Sequence, residues 1–306
     1  MISIIVPIYN EEENIVNLYT DIENALIYYE HEIIFVDDGS IDNSYNIISC
    51  LAKKDYCVKI IKLKKNYGQS AATKAGVDNS QGEIIVTLDG DLQNDPADIP
   101  KMLNKLNEGY DVVCGWRYNR KDKFFKKLLS KISNCLHRKM TGLKIHDSGC
   151  SLRVYRREVF DDIDLYGEMH RFLPAMIFNE GYRVVEMETN HRQRVYGKSK
   201  YGLGRILKGF LDLLNFKFWS NYSNRPLHFF GGTGLITFLT GFLIGLYLIV
   251  DKYILGNLIG VRPLLIFSIL LIIIGIQFIM FGFLSDIMIK IYHSRKEKQV
   301  YNVEDE

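Results

Sequence analysis

Two aspartates separated by one glycine, Asp89, Gly90 and Asp91, directly follow the apolar run Glu83–Leu88. Two carboxylates this close repel each other unless a cation joins them. A hard divalent ion such as Mg²⁺ or Mn²⁺, bridging the pair to a diphosphate, supplies that charge, and Gln93 offers a further oxygen ligand. The pattern therefore predicts a metal site of Asp89, Asp91 and Gln93, in which Gly90 lets the backbone approach a ligand closely. A surface turn is the alternative for so short a motif.

A second pair of aspartates, Asp37 and Asp38, ends another apolar run and precedes a Gly-Ser dipeptide. The Asp-Gly-Ser triplet is typical of a turn, and Asp42 with Ser44 is typical of a helix cap. In the other interpretation, one of the two aspartates accepts hydrogen bonds from the base or the ribose of a nucleotide. The residues by themselves leave both interpretations open.

Short runs rich in Ile and Val alternate with helical stretches over the first two-thirds of the chain. We expect strands at Ile2–Val6, Glu32–Val36, Val58–Leu63, Glu83–Leu88 and Asp111–Cys114. We expect helices at Glu12–Tyr29, Ser44–Lys53, Gly68–Asn79 and Ile99–Asn107. This alternation predicts a parallel α/β sheet, in which ligands bind at the carboxyl ends of the strands. Polar residues follow three of these runs, so we expect the site at that edge of the sheet.

Two basic segments lie farther along the chain. From Arg117 to Lys144 the only acid is Asp122, and apolar residues spaced for one helix face lie among the basic ones. This helix either packs on the domain with a solvated basic face or lies on anionic lipid. The second segment, Tyr196–Tyr201, follows Arg192 and Arg194 and carries a glycine beside two lysines. It is either a solvated run of charge or a glycine-hinged loop whose cations close over phosphates.

Two long runs in the last third of the chain contain no Asp, Glu, Lys or Arg, from Leu227 to Val250 and from Pro263 to Ser285. Each exceeds the ~20 apolar residues that a membrane span needs. Basic residues follow the second run, so the positive-inside rule places both termini in the cytosol. The apolar start of the chain stops at Pro7, so we expect neither a secretion signal nor an anchor there. Gly241 and Gly245 in the first run favour close packing of the two helices.

Composition and missing motifs exclude several common functions. Lys+Arg 38 against Asp+Glu 36 gives a formal net charge of +2, which argues against a nucleic-acid partner. No G-x-G-x-x-G follows the first strand and no G-x-x-x-x-G-K-[ST] occurs, which argues against a nicotinamide cofactor and a P-loop. The five cysteines include no C-x-x-C pair, which indicates reduced cytosolic thiols.

Seven segments occur in an order that resembles family 2 glycosyltransferases of the dolichyl-phosphate mannose synthase type. They are IIVPIYNEEENI, VDDGSIDNS, NYGQSAATKAG, LDGDLQNDP, CGWR, HDSGCSLRVYRREV and RVYGKSKY. The bacterial polyprenyl-phosphate glycosyltransferases, with two C-terminal membrane helices, look most similar. The resemblance implies a GT-A fold, which is a Rossmann-like, mostly parallel sheet in a cytosolic domain, followed by two transmembrane helices. It also implies a nucleotide-sugar donor, Mg²⁺ or Mn²⁺ as cofactor, and a membrane lipid phosphate as acceptor.

The same resemblance assigns roles to individual residues. Positions that bind the nucleotide-sugar are Pro7, Tyr9, Glu11, Val36, Asp38, Asp89, Gly90 and Asp91, and those that hold the metal are Asp89, Asp91 and Gln93. Catalytic positions are Asp89, Asp91, Arg117, Asp147, Arg194 and Lys200, and those that face the acceptor phosphate are Arg117, Lys131, Arg194 and Ser199. The segment Ser151-Leu152-Arg153 stands where the family has Gly-Phe-Arg or Asp-Phe-Arg.

The reaction that we expect is inverting transfer of a hexose to membrane undecaprenyl phosphate, with UDP-glucose as the favoured donor because similar bacterial enzymes often use it. The residues leave open a uridine nucleotide with N-acetylglucosamine or galactose and a guanosine nucleotide with mannose. The product of the transfer would serve as a lipid-linked sugar donor for glycosylation of the cell envelope. The second pKa of a phosphate monoester lies near ~6, so such an acceptor is largely dianionic at neutral pH and needs no general base. Asp147 is therefore expected to orient a group rather than to take a proton.

Two other functions stay open as alternatives. One is a membrane polysaccharide synthase, although such synthases usually carry a Gln-x-x-Arg-Trp motif and more than two spans. The other is a non-catalytic membrane scaffold that binds sugar nucleotides. A homo-oligomer and a separate flippase are further partners that the residues leave open.

We divide the chain into four parts on these grounds. They are a glycosyltransferase domain (1–200), an amphipathic juxtamembrane helix (201–225), a two-helix transmembrane hairpin (226–290) and a cytosolic tail (291–306). The expected location is the inner or plasma membrane, with the catalytic domain and both termini in the cytosol.

Overall fold

A mixed β-sheet is the centre of the first of two compact units, Met1–Leu214 and Asn215–Glu306. The structure is a computed structural model that describes residues 1–118, 138, 140–161, 163, 169–193, 217–218, 222, 225–256 and 263–295. The strands among these residues are β1 (Ile2–Ile8), β2 (His31–Asp37), β3 (Val58–Lys62), β4 (Ile84–Thr87), β5 (Val112–Trp116), β6 (Arg153–Arg156) and β7 (Val184–Glu188). Their order in the sheet is β3-β2-β1-β4-β6-β5-β7.

Helices cover both faces of this sheet. They are α1 (Ile15–Ala25), α2 (Ser44–Lys54), α3 (Gln69–Asp78), α4 (Ile99–Asn107) and α5 (Leu173–Asn179). Successive side chains of a strand point to opposite faces, so Ile4 packs with α1, α2 and α4 whereas Ile5 packs with α3 and α5. On α1 the buried residues Ile15, Leu18 and Ile22 recur at helical spacing and form the inward stripe. The result is a three-layer α/β/α domain.

The predicted α/β sheet is confirmed, and it is mostly parallel. Strand β1 pairs in parallel with β2 and β4, β2 with β3, and β5 with β7. Strand β6 is the exception, because it runs antiparallel between β4 and β5, with Arg153 opposite both Thr87 and Cys114. We did not predict β6 or β7. Strand β6 has only four residues with an arginine at each end, and β7 mixes valine with glutamate, so neither is a continuous apolar run.

The first helix is shorter than the predicted Glu12–Tyr29. It begins at Ile15 because Glu12 is held by the loop after β2: its backbone N–H donates to Asp42 Oδ2 over 3.3 Å, and its Oε2 accepts the N–H of Asn43 over 2.9 Å. It ends at Ala25, after which the chain turns through Leu26 towards β2.

Two long helices form the described part of the second unit, α6 (Pro226–Leu255) and α7 (Pro263–Arg295). Their segments Pro226–Ile254 and Pro263–Ile291 are long and apolar enough to cross a membrane, with mean hydropathies of 2.1 and 2.9. The two helices pack closely against each other, since a Cβ on Gly241 would lie 2.8 Å from the Cβ of Leu271. The Ser268 hydroxyl donates to the carbonyl oxygen of Gly241 over 2.7 Å. This confirms that Gly241 lies at the packing face of the hairpin.

Candidate functional site

The carboxyl edge of the sheet brings together residues that are far apart in the chain. Strands β1, β2, β4, β5 and β7 all run in the same direction, so their C-terminal ends meet at this edge. Strand β6 runs the other way, so the segment before it, residues 147–152, starts from the same edge. The edge therefore collects the two aspartate pairs, Arg117 after β5, Asp147 before β6, and Arg192 after β7.

Asp89 and Asp91 follow β4 in a tight turn at this edge. Asp89 is half-buried, and its Oδ1 accepts a hydrogen bond of 2.6 Å from Nε2 of Gln69 at the start of α3. Asp91 is 8% exposed, and its Oδ1 accepts the backbone N–H of Gln93 over 3.1 Å. Leu92, which lies between Asp91 and Gln93, has the left-handed backbone conformation (φ 58°) that turns the chain back towards the edge. The turn thus keeps both carboxylates and Gln93 on one short segment.

The electrostatics of this turn favour a cation. Burial raises the pKa of Asp89 above its ordinary value, and the charge of Asp91 raises it further. A hydrogen bond from Ser151 and the positive charges of Arg117 and Arg153 act in the opposite direction without reversing the shift. Because a carboxylate with a raised pKa gains most from a nearby positive charge, the pair fits a divalent ion. Over the described ranges no three His, Cys, Asp or Glu side chains cluster, so the remaining ligands would come from Gln93 and a bound diphosphate.

Gly90 packs tightly against the end of a neighbouring strand. A Cβ at this position would lie 2.6 Å from Cδ1 of Ile8 and 3.5 Å from the carbonyl oxygen of Pro7, both at the end of β1. This contact adds a packing reason to our expectation that the glycine lets the backbone approach a ligand, which stays a prediction. The residue lets the aspartate turn lie directly against β1.

The loops after β1 and β2 are joined by hydrogen bonds. The Ser40 hydroxyl accepts the N–H of Asn10 over 3.0 Å, and Oδ1 of Asn10 accepts the N–H of Ile41 over 2.9 Å. The Ser44 hydroxyl accepts the N–H of Glu11 over 3.0 Å. Asn10 adopts a left-handed conformation (φ 55°) to make these contacts. Two short loops thereby form one rigid wall beside the aspartate turn.

The two aspartates after β2 accept hydrogen bonds from backbone N–H groups. Both oxygens of Asp38 accept N–H groups, from Tyr67 over 2.7 Å and from Gly68 over 2.9 Å, while Oδ1 of Asp37 accepts the N–H of Ser40 over 3.0 Å. The turn interpretation of this motif is therefore satisfied, and Asp42 accepts the N–H of Ser44 at the start of α2. Since a carboxylate has about four acceptor positions, Asp38 retains the capacity to bind a nucleotide.

The other residues expected at the nucleotide differ in exposure. Pro7, Tyr9 and Glu11 are half-buried at the end of β1, where a ligand can reach them. The Val36 side chain is fully buried among Ile5 and its neighbours in the core. Its side chain therefore packs the sheet, and only its backbone is left to contact a nucleotide.

Arg117 and Asp147 form a buried, two-pronged ion pair. Nε of Arg117 donates to Oδ2 of Asp147 over 2.6 Å, and Nη2 donates to Oδ1 over 2.9 Å. Their side chains are 14% and 4% exposed. Gly149 also donates its N–H to Oδ1 over 3.2 Å. A carboxylate engaged in this way is suited to fix a guanidinium in place, and it is poorly placed to take a proton from a substrate.

Four of the expected phosphate-binding residues, Lys131, Arg194, Ser199 and Lys200, lie outside the described residues. Their proposed roles rest on the sequence. Arg192, which precedes the last three, is described: its Nη1 donates to Asp21 and its Nη2 to Asp95 over 2.8 Å. Its N–H also donates to the carbonyl oxygen of Gln93 over 2.9 Å. Arg192, which precedes the basic segment in the chain, is thus attached next to the aspartate turn.

The sequence did not predict a role for three residues near this turn. They are Gln69, His170 and Arg153, and Arg153 acts here as a structural cation. Gln69 contacts Asp89, and the buried Arg153 donates to the carbonyl oxygens of His170 (2.8 Å) and Ser148 (2.7 Å). Gln69 and Arg153 do lie inside two of the segments that carry the family resemblance. His170 lies in none, so no local signal pointed to it.

The family model for glycosyl transferase family 2 matches residues 3–164 of this chain. The chain is a member of glycosyltransferase family 2. It is 42% identical over 299 residues to dodecaprenyl-phosphate galacturonate synthase of Rhizobium johnstonii, covering 95% of this chain and 88% of that protein. It is 35% identical over 307 residues to undecaprenyl-phosphate 4-deoxy-4-formamido-L-arabinose transferase of Proteus mirabilis, covering 99% and 93%.

Solved structures support the fold of this family 2 glycosyltransferase. Glucosyl-3-phosphoglycerate synthase from Mycobacterium tuberculosis, in complex with Mn²⁺, uridine diphosphate and phosphoglyceric acid, superposes with a TM-score of 0.56 at 18% identity. The match covers 71% of this chain and 78% of that one. The GT-A fold with two C-terminal apolar helices that could span a membrane is therefore confirmed. The expected enzyme class, glycosyltransferase, is confirmed by the family.

Proposed function

We propose that this enzyme transfers a sugar from a nucleotide-sugar to a polyprenyl phosphate in the membrane. The observation that carries the proposal is the 42% identity, over 95% of the chain, to a protein named as a dodecaprenyl-phosphate sugar synthase. Two apolar helices long enough to span a bilayer follow the catalytic unit, and an enzyme held at the membrane is suited to a lipid acceptor.

The donor that we propose is a UDP-sugar. UDP is the nucleotide bound by the glycosyltransferase of the same fold from M. tuberculosis. The resemblance to bacterial enzymes that often use UDP-glucose favours glucose as the sugar, whereas the names of the relatives contain galacturonate and 4-deoxy-4-formamido-L-arabinose. The sugar is therefore to be decided among these three by direct assay.

In this proposal Asp89, Asp91 and Gln93 hold Mg²⁺ or Mn²⁺ against the diphosphate of the donor. The raised pKa of Asp89 and the second carboxylate beside it fit such an ion. The metal would neutralise negative charge on the departing nucleoside diphosphate. The half-buried residues Tyr9 and Glu11, on the wall made by the loops after β1 and β2, would contact the nucleoside.

The residues beside the metal site would handle the acceptor phosphate. Arg117, fixed by Asp147 in the two-pronged pair, would present its guanidinium to the phosphate, with Lys131 and Ser199 assisting. Arg194 and Lys200 would stabilise charge on the diphosphate from the basic segment. Since the acceptor is already largely dianionic, it attacks the anomeric carbon in line without a base, and the product has inverted configuration.

The test is glycolipid formation by purified enzyme in membranes that contain undecaprenyl phosphate, with UDP-glucose, UDP-galacturonate and UDP-4-deoxy-4-formamido-L-arabinose supplied separately. We expect one donor to yield a lipid-linked sugar, with activity lost in EDTA and in Asp89→Asn or Asp91→Asn. A growing polymer would identify a polysaccharide synthase instead. Donor binding without turnover, whatever the lipid, would identify a scaffold, and full activity in EDTA would refute the metal assignment.

A further inference from the structure

Asp89 is contacted by a side chain to which we assigned no catalytic or binding role. Gln69, the first residue of α3, donates from Nε2 to Oδ1 of Asp89 over 2.6 Å. An ionised carboxylate only accepts hydrogen bonds, so the amide must present its N–H₂ group to it. With Gln69 donating to Oδ1 and Ser151 also donating to this carboxylate, its rotation is restricted.

The start of α3 is itself anchored from a distant part of the chain. Ser70, fully buried, forms a hydrogen bond of 2.9 Å between its Oγ and Nδ1 of His170, and its Oγ accepts the N–H of His170 over 3.0 Å. Nη1 of Arg153 donates to the carbonyl oxygen of His170 over 2.8 Å. The Thr73 hydroxyl donates to the carbonyl oxygen of Gln69 over 2.9 Å. The backbone that carries the Gln69 side chain is therefore fixed on both sides.

We propose that Gln69 is a positioning residue that orients the Asp89 carboxylate for the divalent ion, and that the Ser70–His170 pair holds Gln69 in place. This inference rests on the metal assignment in the proposed function. A donor to a metal-binding carboxylate restricts its rotation and removes the need to order it when the ion arrives. Gln69 touches neither the sugar nor the acceptor in this proposal, so it acts through Asp89.

The experiment measures Mn²⁺ affinity directly, by electron paramagnetic resonance of the full-length protein in detergent with saturating UDP. Gln69→Met keeps the length of the side chain and its helix propensity but removes the donor. We expect it to raise the dissociation constant of Mn²⁺ about 10- to 100-fold, as loss of a supporting hydrogen bond typically does. The matched control is Gln81→Met, because Gln81 is exposed and, in the part of the chain that the structure describes, hydrogen-bonds only through its backbone N–H, to Glu32.

Substitutions of His170 separate positioning from general damage to the fold. Asn places its Oδ1 close to where Nδ1 of histidine lies, so His170→Asn should keep the contact to Ser70 and bind Mn²⁺ nearly as the unaltered protein does. His170→Ala removes the side-chain contact, although the backbone N–H of residue 170 still donates to Ser70, and it should weaken binding. Equal Mn²⁺ affinity in Gln69→Met and Gln81→Met would overturn this inference alone. Absence of Mn²⁺ binding by the unaltered protein would overturn the metal assignment and this inference with it.

Discussion

The buried ion pair of Arg117 and Asp147 allows a decisive test of what the aspartate does. Asp147→Asn keeps the size of the side chain and one acceptor oxygen, but it removes the charge and one of the two bonds to Arg117, at 2.6 and 2.9 Å. A hydrogen bond to a charged group contributes about 1.5–3 kcal/mol. At about 1.4 kcal/mol per factor of ten, turnover should fall about 10- to 100-fold.

The size of this loss does not by itself separate positioning from proton transfer, because loss of a general base costs about 10²- to 10⁴-fold. The double-mutant cycle does separate them. If Asp147 acts only by fixing Arg117, then adding Asp147→Asn to Arg117→Ala should change turnover by no more than about twofold, the usual scatter of such cycles. A base would instead cost the same factor in both backgrounds.

The assay is initial-rate glycolipid formation at saturating donor and lipid, over a range of pH, for the unaltered protein, both single variants and the double variant. Circular dichroism and UDP binding serve as controls for folding, because removing one partner of a buried ion pair destabilises a protein. Multiplicative losses in the double variant, together with an acidic limb in kcat that disappears in Asp147→Asn, would refute the positioning role.

Three further predictions concern stability and topology. Burial acts to raise the pKa of Glu32, but hydrogen bonds from Lys59, Ser3 and Gln81 outweigh it and lower the pKa. The stabilisation that the ionised Glu32 gives to the folded protein should therefore be complete above pH 4.5 and be lost as the pH falls through the lowered pKa. The melting temperatures of the unaltered protein and of Glu32→Gln should accordingly converge in acid. Gly241→Val should lower the melting temperature of the detergent-solubilised protein, because overpacking costs about 1–3 kcal/mol, and an unchanged value would show that the helices separate without cost. A reporter fused after Glu306 should be cytosolic and one inserted near Asn257 external; both on one side would contradict a two-span hairpin.

Features that depend on neighbouring residues in the chain could be predicted from the sequence. The apolar runs of β1 and β2 are buried on both faces, so each is readable alone, and the helices follow from their spacing. The pair Asp89 and Asp91 stands at the end of a strand, so its position at the carboxyl edge follows from the topology of any parallel α/β sheet. The two uncharged runs exceed the thickness of a bilayer and need no partner to be recognised.

Tertiary structure alone decided how these pieces meet. Strand β6 is too short to have a period, and only its pairing with β4 and β5 makes it a strand. Gly90 packs against the side chain of Ile8, which lies far away in the sequence. Arg117 was expected to face the acceptor phosphate and Asp147 to orient a group, and their pairing is visible only once β5 and the segment before β6 share an edge. Contacts such as these depend on distances between side chains of different elements. No local pattern in a single sequence contains information on these distances.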